Sequence, residues 1–118
     1  LKAMSTNSRP VELERALAEY RRLLEQRFNV RLRSLVLFGS RARGDAEPDA
    51  DADVAVVVHG LSESERGEAV ALAFEAWRRT GRTAPLISPL VWSEAEQSER
   101  RRAERRIALD IDAEGRAI

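Results

Sequence analysis

Apolar residues recur at three- and four-residue spacing early in the chain, at Leu13, Ala16, Leu17, Tyr20, Leu24 and Phe28. That spacing keeps one stripe of a helix apolar and predicts an amphipathic helix over residues 10–28, with Pro10 suited to its first turn. The pattern then changes. Leu35-Val36-Leu37-Phe38 is a short apolar run that stops at Gly39, and Val54 to Val58 is a second run rich in β-branched residues. Both read as buried strands. Ser62 with Glu65 has capping-box spacing and predicts a helix through Thr80, ended by Gly81. Val70, Phe74 and Trp77 share one stripe of that helix, which is expected to pack into the core. Leu86 to Trp92 reads as a third strand, and Pro85 and Pro89 favour a sheet edge for it. Ser93 with Glu96 repeats the capping-box spacing and leads into a last helical stretch to Ala113.

Helix, strand, Gly-bounded segment, strand, helix, strand, helix is the order of an α/β sandwich with a small sheet. A chain of 118 residues has room for one core, and no Gly/Ser/Pro linker divides it. A single domain over residues 10–118 is expected. Met4 reads as a natural start, so Leu1 to Ala3 are expected to be an expression remnant and residues 1–9 a disordered N-terminus. The longest apolar run, Ala69 to Phe74, is six residues, far below the ~18 of a membrane span. The expectation is a soluble, cytoplasmic protein with no membrane partner. Basic and acidic residues number 20 each, so no net field gathers nucleic acid, which is not an expected partner. The absence of cysteine excludes disulfides, thiol nucleophiles and zinc ribbons, and a lone histidine, His59, excludes a multi-histidine metal site.

The candidate chemistry lies between the first two strands. Asp51 and Asp53 lead into the second strand, where alternate side chains share a face and stand ~6–7 Å apart at Cα. Two carboxylates that close repel unless a cation lies between them, and their oxygens suit a hard cation such as Mg²⁺. Gly39 and Ser40 follow the first strand, where glycine lets a polyphosphate approach the backbone. Ser40 and the amides offer donors to phosphate oxygens, and Arg41 and Arg43 offer charged ones. A hairpin-like return would bring Ser40 close to Asp51. Glycine-flanked turns and Asp-x-Asp pairs are each common, but their combination between two strands points to a nucleotide site.

Gly39-Ser40, ten residues, then Asp51-Ala52-Asp53 resembles the GSx10DxD signature of the minimal nucleotidyltransferases in the DNA polymerase β-like superfamily. The flanking stretch LFGSRARGDAEPDADADVAVVV is similar to that family's core block, and the ending with Glu114-Gly115 resembles its short members. The resemblance implies the polymerase β-like fold, a small mixed sheet packed with helices. It also implies transfer of a nucleoside monophosphate, AMP from ATP, to a hydroxyl with release of pyrophosphate. By the family pattern Gly39 and Ser40 would hold the β- and γ-phosphates, and Asp51 and Asp53 would be the catalytic carboxylates that bind Mg²⁺. Many short members are antitoxins encoded beside a HEPN-domain toxin, and some add AMP to a tyrosine of that toxin. A HEPN-type toxin is therefore the implied partner, and homodimerisation stays open.

The sequence departs from the family pattern at two places. Ala50 stands where the family often has serine, a change expected to be harmless. Many active members carry a third carboxylate on the third strand, but here no acid lies between Glu75 and Glu94, and Ser88 stands in its place. A hydroxyl is a poor base at neutral pH. Three explanations stay open: Glu94 swings in, the partner supplies the base, or the site binds nucleotide and reacts slowly or not at all. Asp45 and Asp49 are read as turn formers.

The remaining candidates have structural readings. His59 is read as a strand-end turn residue and Trp92 as core or interface packing rather than a base-stacking platform. Arg100, Arg101, Arg102, Arg105 and Arg106 are read as a solvated helix face paired with Glu96, Glu99 and Glu104. Three functions then compete: an enzyme acting on a partner protein, an antitoxin that neutralises by binding alone, and an enzyme acting on a small molecule. The third would need a substrate-binding domain that 118 residues cannot hold unless two copies build it.

Overall fold

The computed structural model describes the backbone of residues 2–118 and the side chains of residues 11–118. The expectation for residues 1–9 falls outside that fully described part. Helix α1 (Lys2–Phe28) leads through a 3₁₀ turn (Asn29–Arg31) into strand β1 (Leu32–Phe38). A four-residue helix α2 (Ser40–Arg43) and strand β2 (Ala52–Val58) follow. Helix α3 (Glu63–Arg79), strand β3 (Ile87–Ser93), helices α4 (Glu94–Arg102) and α5 (Arg106–Glu114) and a short strand β4 (Arg116–Ala117) complete the chain.

The sheet order is β3-β2-β1-β4. β1 runs antiparallel to both β2 and β4, while β2 and β3 are parallel, so the sheet is mixed as the resemblance implies. β3 lies at an edge, where Pro89 removes no ladder hydrogen bond.

Side-chain alternation divides the sheet into two faces. Leu35, Leu37, Ala52, Val54, Val56, Val58, Ile87 and Val91 pack beneath α1 and α3 in the main core. The opposite face carries Ala55 and Trp92, which pack with Ala108 and Ile111 of α5 in a smaller core. Asp53 and Ser88 belong to this second face, beyond the end that α5 covers. α1 turns its predicted stripe inward: Leu13, Ala16, Leu17, Tyr20, Leu24 and Phe28 are all buried. The Tyr20 hydroxyl donates to the Ala69 carbonyl at 2.9 Å, which fixes α1 against α3 without leaving a buried polar group unpaired.

Both capping boxes form. Ser62 accepts from the Glu65 amide and Ser93 from the Glu96 amide, with each glutamate bonding back. Trp77 packs half-buried against the main core as expected, and its indole N–H donates to the Ala84 carbonyl at 2.8 Å. Two expectations need correction. Val70 and Phe74 do not face the core; they are 46% and 56% exposed, because α3 buries its alanines Ala69, Ala73 and Ala76 instead. The last helical stretch is two helices, broken where Glu104 takes a φ of 53°.

α5 comes close enough to β1 that Gly115 has no space for a side chain. A Cβ there would overlap both the Val36 side chain and the Ile111 carbonyl. Gly115→Ala should therefore destabilise the protein by about 1–3 kcal/mol, as overpacked sites do, which chemical denaturation of the two proteins will measure.

Candidate functional site

β1 and β2 pair from Leu32↔Val58 to Phe38↔Asp53, so the chain leaves the sheet at Phe38 and re-enters it beside the same point. The connection in between carries Gly39, Ser40, Arg41, Arg43 and Asp51, and Asp53 lies at the start of β2. Gly39 adopts φ 74° and ψ −156°, a backbone conformation open almost only to glycine. There is a second reason for glycine. A Cβ at this position would lie 2.6 Å from Asp53 Oδ2, so the backbone approaches the carboxylate more closely than any side chain allows. Gly39 is also the N-cap of α2, and it brings no side chain to bond the first-turn amides. The Ala42 and Arg43 amides bond to the Gly39 carbonyl at 3.1 and 3.0 Å, which leaves the Ser40 and Arg41 amides as the uncapped donors of α2.

Asp51 precedes β2 and Asp53 lies within it, close enough that the Asp51 charge acts on the Asp53 carboxyl. Most acids of this chain have an arginine partner, as in Arg27–Glu68, Arg31–Glu65, Arg66–Glu96 and Arg101–Asp112. Among the described residues, neither Asp51 nor Asp53 has a hydrogen bond or ion pair of its own. Burial raises the Asp53 carboxyl above its ordinary value, and the Asp51 charge adds to the rise while Arg43 opposes it. An unpartnered, partly buried carboxylate beside a second one is an electrostatic cost that a bound cation would remove. The two aspartates and the oxygen-rich chemistry of the corner therefore fit a hard divalent ion. Among the described residues, however, no third acid or histidine joins them.

The place for a third carboxylate is visible. Asp53 and Ser88 are direct neighbours in the parallel β2–β3 register and share the exposed side of the sheet. Glu94 cannot fill it. Val58 pairs with Ser93, five residues further along both strands, which sets Ser93 ~16 Å beyond Ser88 and Glu94 past it, at the other end of the sheet. There Glu94 accepts from or bonds to His59 Nδ1 at 2.7 Å and pairs with Arg33 at 3.3 Å.

The arginines divide. Arg41 braces the connection: its guanidinium donates to the carbonyls of Ala50 at 2.8 Å, Pro48 at 3.2 Å and Glu47 at 3.3 Å. Arg43 stays at the rim, bonded to Asp45 at 3.2 Å and to Glu114 at 2.9 Å. Glu114 is a residue that sequence reasoning missed as part of the site. Its distance of 71 residues from Arg43 gives no local signal, and only the return of α5 to the edge of β1 brings it there. Asp45 serves its turn as expected, through Arg43.

Two further readings settle. Trp92 is buried under α5, with the Arg100 guanidinium 4.9 Å from its ring, so it packs in the core. Of the arginine-rich stretch, Arg101 pairs with Asp112 and Arg106 with Asp110 rather than with Glu99 and Glu104, and Arg100 donates to the Glu96 carbonyl at 3.3 Å.

With this geometry established, the comparison with known families is direct. A family model described as a nucleotidyltransferase domain matches residues 17–109. The chain belongs to that family. No curated protein matches it. Among solved structures it is similar to a candidate nucleotidyltransferase from Sulfolobus solfataricus, with 26% identity over 75% of each chain and a TM-score of 0.47. It is also similar to a toxin–antitoxin structure containing AMP-PNP, with 19% identity, 83% of this chain and 68% of that one covered, and a TM-score of 0.54. The second likeness bears on the fold alone. Among the described residues of this nucleotidyltransferase domain, no helix is long and apolar enough to cross a membrane.

Two measurements follow from the corner. Gly39→Ala should cost about 1–2 kcal/mol of stability from the left-handed backbone alone, and should also push the Asp53 carboxylate out of position. Asp53→Asn should act oppositely. A carboxyl whose value is raised by folding contributes stability below its ordinary value near 3.8 and loses it as pH rises through the folded value. Asp53→Asn is thus expected to be more stable than wild type at neutral pH, with the gain shrinking on acidification, in denaturant titrations across pH.

Proposed function

We propose that this chain is a Mg²⁺-dependent nucleotidyltransferase that moves AMP from ATP to a hydroxyl of a partner protein, as the antitoxin of a HEPN-type toxin. The carrying observation is the unpartnered Asp51–Asp53 pair set against the Gly39–Ser40 corner. In the reaction the acceptor oxygen attacks the α-phosphorus, the bond from that phosphorus to the β-phosphate oxygen breaks, and pyrophosphate leaves. The hydroxyl proton passes to a base.

Asp51 and Asp53 would hold the Mg²⁺, which when bound neutralises phosphate charge. Gly39 lets the polyphosphate reach the backbone, and the uncapped amides of α2 with the Ser40 hydroxyl bind the β- and γ-phosphates. Arg43 at the rim supplies positive charge. Arg41 contributes by holding the connection in shape, so that its role in nucleotide binding is one of positioning. In this reading the partner protein presents the acceptor, and orientation of its hydroxyl comes from that docking.

Ser88 favours a second reading, an antitoxin that binds its toxin and nucleotide but transfers little. With no third carboxylate beside Asp53, the base must come from the acceptor's side or from solvent. The two readings separate cleanly in one set of experiments.

Calorimetric titration with Mg²⁺ and a non-hydrolysable ATP analogue should show metal-dependent binding that Asp51→Asn/Asp53→Asn loses. Incubation with α-labelled ATP and the product of a neighbouring toxin gene should label that product, at least a hundredfold less with the double variant. An unlabelled product that is still neutralised by the double variant supports the binding-only reading.

A further inference from the structure

The stripe of α3 that the sequence assigns to the core points outward and has the character of a contact surface. Gly67, Val70, Ala71 and Phe74 recur at i, i+3, i+4 and i+7, and all four are exposed. The other exposed large apolar residues, Val11, Val30, Leu86, Ile107 and Leu109, are not stacked on one helix face in this way.

Three further features belong to the same stripe. Phe74 is supported from behind by Trp77, with ring centroids 5.6 Å apart and planes tilted by 44°, and Trp77 is itself held by its bond to Ala84. The Phe74 ring is thus a fixed projection. Gly67 is a gap: a Cβ there would meet nothing within 4 Å, so no neighbour in its own fold requires glycine, although glycine weakens a helix. The ends carry opposite charge. Glu63, whose side chain is 86% exposed, stands one turn before Gly67, and Arg78 stands one turn after Phe74.

We propose that this stripe is a twofold contact between two copies of the chain, with α3 packed antiparallel against α3. A twofold axis between Val70 and Ala71 sets Phe74 of each copy opposite Gly67 of the other, so that the projection enters the gap. The same axis sets Glu63 of each copy opposite Arg78 of the other and places Val70 beside Ala71 at the centre. Projection and gap are matched by one operation, and Glu63 and Arg78, paired within their own helix with Arg66 and Glu75, meet across it with opposite sign, which is the signature of an isologous interface. A zero net charge offers no bulk repulsion to it. One helix pair is smaller than the ~1,600 Å² of a standard interface, so the dimer is weak and concentration-dependent. This contact does not depend on whether the nucleotide site is active.

The test uses the full chain. Sedimentation velocity from low to high micromolar concentration should show a monomer–dimer equilibrium. Phe74→Glu should weaken it at least tenfold without changing thermal unfolding, since the ring is exposed. Because the chain has no cysteine, Val70→Cys introduces a single thiol, and mild oxidation should yield a cross-linked dimer. Ser98→Cys, exposed on α4 away from the stripe, should stay monomeric under the same oxidation. A wild type that sediments as monomer at every concentration would overturn the proposal, and so would a dimer indifferent to Phe74→Glu or equal cross-linking of the two thiols.

Discussion

The antiparallel register that sets Phe38 opposite Asp53 is the constraint on which the rest of this site depends. It fixes both ends of the connection between β1 and β2 at one point of the sheet. The backbone at Gly39 must then pass directly over the Asp53 carboxylate, at a separation that leaves no space for a Cβ. The Gly39–Ser40 corner and the two carboxylates meet for the same reason. Neither group is close to the other in sequence, and neither would be close in space if the ladder slipped by one residue, because every side chain of β2 would then change faces.

The site also depends on what surrounds it without touching the nucleotide. Arg41 spends its guanidinium on three carbonyls of the connection, and Arg43 ties α2 to the end of α5 through Glu114. The long connection is therefore ordered before anything binds. Glu47, Asp49, Asp51 and Asp53 all lack an arginine partner, but only Asp53 is also partly buried, with the Asp51 charge beside it. That is where an added cation would relieve the most repulsion.

Much of this was legible in the sequence because it rests on local rules. The capping boxes at Ser62 and Ser93, the β-branched run of β2 and the stop at Gly39 each follow from chemistry within four residues. The GSx10DxD block was legible because glycine, serine and two aspartates at that spacing have few purely structural uses together. What was not legible depends on distant partners. Arg41 looks like a phosphate ligand until the loop closes around it. Glu94 looks near the third strand's chemistry until the parallel register carries it to the opposite end. The stripe of Val70 and Phe74 has core periodicity, and only the close approach of α3 through Ala69, Ala73 and Ala76 turns it outward. The break at Glu104 carries neither glycine nor proline, so no local punctuation marks it.

The free edge of β3 has a consequence for how this protein can meet other chains. Pro89 has no N–H to offer there, and the Arg66 guanidinium already occupies the Val91 carbonyl. A strand laid along this edge would find its hydrogen-bonding partners missing or taken, so the sheet cannot be extended on that side. Ser88 lies on that edge strand, next to Asp53. A flexible polypeptide that brings a hydroxyl to this place must consequently be recognised by its side chains and shape, and it cannot be captured as one more strand, which protects the open end of the site from indiscriminate backbone pairing.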